Sequence, residues 1–336
     1  MDCQKNLSPS LIVRPDSSPS PIRRAVIDVG TNSIKLLVAD VTGPAVIPIS
    51  EHSKQTRLGH GFFETHLLHA DAIAATAEAV KRFCAEAKLL NAAQIRVIAT
   101  SAARDARNAS ELIDAIRASS GLEVEIISGE QEADWAFRGV ASDPKFSNLP
   151  LLIIDVGGGS TEVILGQGTR QFFRNSYQMG TVRLLEQLQP GDPPGNEALE
   201  HCRRLLRKFF NETIRREAGP ALKKCSREIH LIGTGGTTTI LARMEKQLPD
   251  FDREKIEATK LTPMQLRAHI EKLWNMTLEA RKTIIGLPPK RADVILTGTT
   301  IYEAILEGFQ LDELQISTRG LRYAAVQDEP KSLFEK

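Results

Sequence analysis

The 336-residue chain lacks the features of a membrane protein and of a disulfide-stabilised secreted domain. No stretch approaches the roughly 18 continuous apolar residues of a membrane span. Its four cysteines, at positions 3, 84, 202 and 225, show neither Cys-x-x-Cys nor Cys/His zinc spacing. We therefore expect reduced thiols, no membrane partner and a cytoplasmic location.

An excess of charge of one sign is also missing. Lys and Arg number 43 against 42 Asp and Glu, so the formal net charge is +1. This balance gives no overall field that would attract nucleic acid, and a polyanionic ligand would need a local basic surface. The chain contains no Gly-x-x-x-x-Gly-Lys-[Ser/Thr] motif, which excludes a P-loop nucleoside triphosphatase. Nucleic acid is therefore not an expected partner.

Composition and pattern divide the chain into a tail and two domains. Residues 1–24 are rich in Ser and Pro without a long apolar run, which predicts a disordered tail and no signal peptide. The remainder suffices for two domains of roughly 100–200 residues each. From Ala25 onward strand patterns alternate with helix patterns, which indicates α/β domains. We predict domain I from residues 25–135 with about 317–330, and domain II from residues 136–316.

Two glycine-rich hairpins repeat within the chain. Residues 27–33 are Ile-Asp-Val-Gly-Thr-Asn-Ser, and residues 154–160 are Ile-Asp-Val-Gly-Gly-Gly-Ser. In each, an aspartate ends a strand, a glycine follows two residues later and a serine five residues later. Glycines let the backbone approach an anion closely and turn its N–H groups toward it. Ordinary hairpin turns are the alternative, but two matched copies about one domain length apart favour a phosphate cleft.

The predicted phosphate contacts lie in three loops. They are Asp28, Gly30, Thr31, Asn32 and Ser33 in the first hairpin, Gly157, Gly158, Gly159 and Ser160 in the second, and Gly235 and Gly236 in a third loop. The third loop follows a strand at residues 228–232, and a simple strand-to-helix turn explains it as well as ligand contact does. An aspartate repels phosphate directly, so the two hairpin aspartates suit a metal ion or a bridging water.

Four further segments accompany the hairpins. They are residues 99–104 (Ala-Thr-Ser-Ala-Ala-Arg), 126–133 (Ile-Ile-Ser-Gly-Glu-Gln-Glu-Ala), 179–183 (Met-Gly-Thr-Val-Arg) and 291–295 (Arg-Ala-Asp-Val-Ile). From about Ala25 to about Ala325, the chain resembles the short, two-domain form of the exopolyphosphatase and guanosine-pentaphosphatase (Ppx/GppA) family, within the actin-like superfamily. The resemblance implies an α/β fold with two actin-like (ribonuclease H-like) domains. Each is a mixed sheet flanked by helices, and an interdomain cleft separates them.

The resemblance also implies roles for single residues. Glu132 matches a carboxylate that activates water, and Arg104 matches an arginine that binds phosphate. Asp155 and Glu162 match acidic groups that hold a divalent cation, Mg²⁺ or another such as Mn²⁺. Gln131 departs from the family, which often has a second glutamate there, and so removes one like charge beside Glu132. Taken alone, Glu132 and Arg104 are more typical of solvated surface charges, and a solvent-facing strand residue is the lesser alternative for Glu162.

The implied function is an exopolyphosphatase that releases orthophosphate from the ends of inorganic polyphosphate. Guanosine pentaphosphate is the alternative substrate, and a small-molecule kinase or a non-catalytic nucleotide-binding module are more distant alternatives. A long basic helix is predicted from about Glu197 to Glu217. Basic residues within 203–227 are a candidate track for a long anion, although we favour a solvated helix face. The pair Lys290 and Arg291 is a weaker candidate. Short relatives often dimerise, so a homodimer is expected by resemblance.

Overall fold

The computed structural model of the chain describes residues 20–225 and 228–329. These residues form two mixed β-sheets flanked by helices, and no helix among them is long and apolar enough to cross a membrane. Most of the predicted tail lies outside the described residues, but the first strand already begins at Ile22. The apolar pattern starts later because Arg23 is charged; it is held in the sheet by an ion pair with Asp40, 2.8 Å from Nε to Oδ1.

The first sheet has five strands: β1 (Ile22–Val29), β2 (Ser33–Thr42), β3 (Ala45–Gln55), β4 (Gln94–Ala99) and β5 (Val124–Ile126). Their order across the sheet is β3-β2-β1-β4-β5. The first three strands are antiparallel neighbours, whereas β4 runs parallel to β1 and β5 runs parallel to β4. The helices of this part are α1 (Phe62–Thr65), α2 (Ala70–Leu89), α3 (Ser101–Asp105), α4 (Ala109–Ser120) and α5 (Gly129–Ala141).

The second sheet has six strands: β6 (Pro150–Val156), β7 (Thr161–Gln167), β8 (Arg170–Tyr177), β9 (His230–Thr234), β10 (Lys260–Leu261) and β11 (Leu314–Ile316). Their order is β10-β11-β9-β6-β7-β8. The helices are α6 (Thr181–Leu188), α7 (Gly195–Phe209), α8 (Arg215–Leu222), α9 (Gly236–Glu245), α10 (Arg253–Glu257), α11 (Pro263–Trp274), α12 (Leu278–Arg281) and α13 (Ile295–Phe309). The last helix, α14 (Leu321–Ala325), packs instead against β1 and α5. A 3-10 turn at Pro289–Arg291 precedes α13.

The two sheets share one topology. In each, three antiparallel strands are followed by a strand parallel to the first of them, which is β4 in the first sheet and β9 in the second. The two glycine-rich hairpins are the corresponding β1–β2 and β6–β7 turns. The sequence repeat is therefore a repeat of structure, and it places the two hairpins at equivalent ends of the two sheets.

The central strand β1 is buried on both faces, which explains its nearly continuous apolar sequence. Ile27 lies in a core shared with α2 residues such as Val80, whereas its neighbour Val26 lies in a second core with Trp135 and Tyr323. Successive side chains of a strand point to opposite faces, so one short apolar run serves both cores. This burial fixes where β1 ends and hence where the first hairpin begins.

Helix α5 packs against both sheets. Trp135 belongs to the core of the first sheet, whereas Phe137 lies in a core with Ile153 and Ile232 of the second. The Trp135 indole N–H also donates to the Asp328 carboxylate over 2.7 Å. The domain boundary between residues 135 and 136 stays a prediction, since α5 runs through it. Glu132, an inward-facing residue on the first turn of α5, is thereby placed between the two sheets.

We predict that Gly139→Ala destabilises the protein. Helix propensity alone would favour alanine by about 0.5–1 kcal/mol. However, a Cβ at residue 139 would overlap the backbone carbonyl group of Gly320, which precedes α14. Overpacking of this kind costs roughly 1–3 kcal/mol, so the clash should outweigh the propensity gain. Urea unfolding measures the difference, and Ala118→Gly at an exposed position of α4 gives the propensity contribution alone. An unchanged or higher unfolding free energy for Gly139→Ala would contradict the prediction.

The long basic helix predicted between residues 197 and 217 is interrupted in the structure. A π-helical turn at Phe210–Ile214 joins α7 to α8, and the helical path continues to Leu222. Within this turn Phe210 packs edge-on against Phe309, with ring centroids 4.7 Å apart. Charge and spacing predicted the helix correctly, but they contain no signal for the local widening.

Candidate active site

The first hairpin is closed by a hydrogen bond within its own turn and supported by a second one from the loop after β3. The Gly30 N–H donates to the Ser33 carbonyl over 3.2 Å, which closes the turn between β1 and β2. The Thr31 carbonyl accepts from the Gly59 N–H over 2.7 Å, so the loop after β3 supports the turn. Asp28, at the end of β1, is only 3% exposed. With its carbonyl groups engaged in this way, the turn can offer N–H groups to an anion.

The second hairpin is held more completely, by the start of α6. The carbonyls of residues 157, 158 and 159 accept in order from the Thr181 N–H (2.9 Å), the Val182 N–H (2.8 Å) and Nε of Arg183 (2.9 Å). Three consecutive carbonyls are thus turned toward one helix. The N–H groups of the same peptides are left for the opposite side, which is the arrangement of an anion-binding loop.

The two hairpins face each other at close range. A Cβ at residue 158 would lie 2.8 Å from Cβ of Thr31, so only glycine fits there. Between the hairpins lies a cavity of about 50 Å³, and its lining includes every predicted site residue except Arg104 and Gly235. The Asn32 amide nitrogen and the Ser101 hydroxyl are buried there without a hydrogen-bond partner among the described residues. Unpaired buried polar groups are rare, and a bound ligand or an ordered water would supply the partners of these two.

Glu132 stands at this cavity with Arg104 beside it. The residue is 7% exposed on the first turn of α5, which Ser128 caps by accepting from the Gln131 N–H. Nη1 of Arg104 donates to Oε2 of Glu132 over 3.1 Å and to the Ile127 carbonyl over 3.0 Å. Burial raises the pKa of Glu132 to about 7, and Arg104 opposes that rise. A carboxylate with this pKa can accept a proton from water near neutral pH.

Three more carboxylates lie at the same cavity. Asp155 and Glu162 are cross-strand partners on β6 and β7, and the Ser176 hydroxyl donates to Oε1 of Glu162 over 2.7 Å. Burial raises the pKa of Asp155 and raises that of Glu162 well above its usual value. Oδ1 of Asp28 is buried without a hydrogen-bond partner among the described residues. Burial of so much acidic charge in one place favours a nearby cation.

The acidic residues fit a cation that the substrate helps to hold. Within residues 20–225 and 228–329, no three His, Cys, Asp or Glu side chains are close enough to bind a metal ion by themselves. Mg²⁺, however, is usually held through one or two carboxylates together with waters and substrate phosphate oxygens. Asp155 and Glu162, with the unpaired oxygen of Asp28 nearby, supply hard oxygen ligands of that kind. The donor set is therefore compatible with Mg²⁺ or Mn²⁺.

A larger cavity of about 390 Å³ adjoins the small one. The two share Asp155, Lys35 and Arg291 in their linings, and Gly235 lies in the larger. A Cβ at residue 235 would overlap the Asp155 carboxylate, and φ of Gly235 is +89°, so this position requires glycine. The third glycine loop is thus packed against the acidic group and forms part of the wall of the larger cavity.

Comparison with known proteins identifies the family. The family model described as "Ppx/GppA phosphatase family" matches residues 37–331. The chain belongs to the Ppx/GppA phosphatase family. The match confirms the predicted family and enzyme class, and the topology of the two sheets agrees with the predicted fold class.

The named relatives of this Ppx/GppA chain include an exopolyphosphatase and a guanosine-5'-triphosphate,3'-diphosphate pyrophosphatase. Exopolyphosphatase 2 of Mycobacterium tuberculosis is 32% identical over 310 residues, covering 88% of this chain and 94% of the relative. Guanosine-5'-triphosphate,3'-diphosphate pyrophosphatase of Vibrio cholerae is 29% identical over 315 residues, covering 90% of this chain and 59% of the relative. The crystal structure of the Aquifex aeolicus Ppx/GppA family member superposes with a TM-score of 0.74 at 30% identity, covering 91% and 97% of the two chains.

Two cationic residues of the site were not predicted there. Lys35 is the cross-strand partner of Asp28 in the β1–β2 ladder, with Nζ 3.8 Å from Oδ2. The hairpin register could have revealed it. Arg291 was assigned only to a weak anion track, yet its guanidinium lies against Gly236 and lines both cavities. Burial lowers the pKa of Arg291 to about 10 while Asp293 opposes this. Only tertiary structure brings it to the site.

The basic face of α7 and α8 lies at another place. Arg203 is paired with the buried Glu303 over 2.7 Å and with Glu200 over 2.7 Å. Together with Arg207 and Arg215 it lines a separate cavity of about 260 Å³ that includes no hairpin residue. Among the described residues, the linings of this cavity and of the small cavity have none in common, and Arg203 itself is only 17% exposed. Arg227 lies outside the described residues.

Proposed function

We propose that the protein is an exopolyphosphatase that hydrolyses the terminal phosphoanhydride bond of inorganic polyphosphate. The observation that carries the proposal is the position of Glu132. It is a buried carboxylate with a pKa near 7, paired with Arg104, at a cavity between two facing phosphate hairpins. Family membership and the name of the mycobacterial relative support the same substrate.

In the proposed reaction the terminal phosphoryl group occupies the small cavity. N–H groups of residues 31–33 and 158–160, the Asn32 amide and the Arg104 guanidinium bind its oxygens. Glu132 takes a proton from a water as the water oxygen bonds to phosphorus, and the anhydride P–O bond breaks to release the shortened chain. A divalent cation held by Asp155 and Glu162 would neutralise charge on the phosphoryl oxygens. The rest of the chain lies in the larger cavity near Lys35 and Arg291.

We predict that kcat/KM has an acidic limb near pH 7. Glu132 acts as a base only when ionised, and its pKa is raised to about 7, so kcat/KM should fall about tenfold per pH unit below that value. Phosphate release from polyphosphate between pH 5 and 9 measures the limb. Binding of polyphosphate to Glu132→Gln over the same range corrects for ionisation of the substrate. A kcat/KM that stays constant down to pH 5, as expected for a glutamate with an ordinary pKa of about 4.3, would contradict the prediction.

Guanosine pentaphosphate is the second candidate substrate, and one observation favours it. The 390 Å³ cavity beside Gly235 and Gly236 also has apolar walls, Phe251 and Ile240, against which a base could pack. The Vibrio cholerae relative is named guanosine-5'-triphosphate,3'-diphosphate pyrophosphatase. A preference for this substrate over polyphosphate in kcat/KM would favour the second candidate.

One experiment tests both substrates. Phosphate release is measured from polyphosphates of several lengths and from guanosine pentaphosphate, each with Mg²⁺, with Mn²⁺ and with a chelator. No release from any substrate would exclude the hydrolase proposal and favour a kinase or a non-catalytic module. The expected homodimer is tested on the same preparation by light scattering after gel filtration.

A further inference from the structure

Arg183 connects the two halves of the site without lining the small cavity. It lies on the first turn of α6 and is 18% exposed. Its Nε donates to the Gly159 carbonyl over 2.9 Å, and its Nη2 contacts Oδ2 of Asp105 at 3.0 Å. The same guanidinium lies over the ring of Phe63, 4.2 Å from the centroid. One planar group thus holds the second hairpin and two elements on the side of the first sheet, α1 and α3.

We propose that Arg183 is a positioning residue, which latches the two phosphate hairpins together in the arrangement that the reaction needs. A second contact on α6 acts in parallel. The Glu186 carboxylate accepts from the Gly61 N–H over 2.6 Å and from the Phe63 N–H over 3.2 Å. The same loop supports the first hairpin through Gly59. Helix α6 therefore holds the second hairpin directly and the first hairpin through residues 59–63.

The pairing with Asp105 also protects the charge of Arg104. Asp105 follows Arg104 directly at the end of α3, and Arg183 neutralises it. Without Arg183, an unpaired carboxylate would stand beside the arginine that is proposed to grip phosphate. It would compete for Arg104 and repel the substrate, because removing one partner of a partly buried pair leaves an uncompensated charge. This gives Arg183 an effect on the reaction beyond its packing.

The two hairpins leave little space between them in the described arrangement. The small cavity of about 50 Å³ has room for only a few water-sized groups, and Thr31 lies against Gly158 across it. Planar Arg183 makes its three contacts at once in this arrangement, which suits it to hold the hairpins at this separation.

The kinetic arm of the test rests on the proposed function. Arg183→Met should lower kcat for phosphate release about 100-fold, with KM changed less than about threefold, because the ordered transition-state site is lost more than ground-state binding. Arg183→Lys keeps the charge but not the planar fork, so a loss of about tenfold is expected. Adding Asp105→Asn to Arg183→Met should recover about tenfold, since the unpaired carboxylate is gone. Arg23→Lys is the control for Arg183→Lys, because the pair of Arg23 with Asp40 is also partly buried but lies within one sheet.

The structural arm does not require activity. Amide hydrogen exchange at residues 59–63 and 157–160, measured on full-length protein without substrate, should be faster in Arg183→Met and unchanged in Arg23→Met, which removes the same charge from a pair within one sheet. Equal exchange in Arg183→Met and wild type would overturn the latch, as would strictly additive effects of Arg183→Met and Asp105→Asn. If no substrate is hydrolysed, the proposed function fails and exchange alone decides the latch. Arg183→Lys serves both arms if Arg183→Met does not fold.

Discussion

Glu132→Gln is expected to lower kcat for phosphate release about 10³-fold, within the range for loss of a general base. Glutamine has nearly the same shape, and its amide oxygen can still accept the 3.1 Å hydrogen bond from Arg104, so the site should keep its geometry. The amide cannot take a proton from water, which is the step that the geometry assigns to this residue. Continuous detection of released phosphate at saturating polyphosphate measures the change.

Glu130→Gln is the matched control for this substitution. Glu130 lies on the same first turn of α5 but is exposed, and its nearest cation is Arg174 at 3.8 Å. We expect its kcat to stay within about twofold of the wild type, since surface charges contribute little. If Glu132→Gln kept a tenth or more of the wild-type kcat, the base would have to be another carboxylate of the cavity, such as Asp28 or Glu162.

The variants Glu132→Gln and Glu130→Gln also test how ionisation of Glu132 affects the stability of the fold. The pKa of Glu132 is raised above the unfolded value, so its contribution to stability is present at low pH and is lost as pH rises through about 7. Glu132→Gln removes that titration. Its free energy of unfolding should therefore vary less between pH 5 and 8 than that of the wild type. The residue proposed as the base is one whose ionisation the fold disfavours.

The sequence predicts the hairpins well because their chemistry is local. Asp28 and Asp155 each end an apolar strand, and the glycines that follow define the turn without reference to the rest of the chain. The pairing of Asp155 with Glu162 follows from the same hairpin register. These features depend on period and turn chemistry, which a single sequence displays.

Other parts of the site depend on packing between distant segments. Glu132 looks like an ordinary first-turn helix charge, and only the packing of α5 between the two sheets buries it. Arg291 reaches the cavity from the turn before α13, and Arg183 reaches across from α6. No spacing within the sequence relates these residues to the hairpins. Family resemblance supplied Glu132 and Arg104, and gave no role for Arg183.

Arg104→Met should lower kcat/KM about 10³-fold or more, comparable to the loss of an arginine that stabilises transferring phosphoryl groups. It should also move the acidic limb of the kcat/KM profile to higher pH. Arg104 lowers the pKa of Glu132 against the opposing effects of burial and of Asp28, so removing the guanidinium leaves the carboxylate harder to ionise. A residue that only binds phosphate would reduce the rate without moving the limb. The pH dependence of kcat/KM for the variant and the wild type decides between them.

Arg107→Met is the control for this last prediction, because Arg107 is exposed three residues further along and lines no described cavity. Its kcat/KM and its acidic limb should both match the wild type. An unmoved limb in Arg104→Met would mean that another cation sets the ionisation of Glu132, with Lys35 and Arg291 as the remaining cations of the small cavity. A moved limb with a small change in rate would instead separate the two functions of Arg104, leaving phosphate binding to the hairpin N–H groups. If Arg104 both binds the phosphoryl group and keeps Glu132 ionised, then Arg104→Met must show both a large loss of kcat/KM and an acidic limb at higher pH.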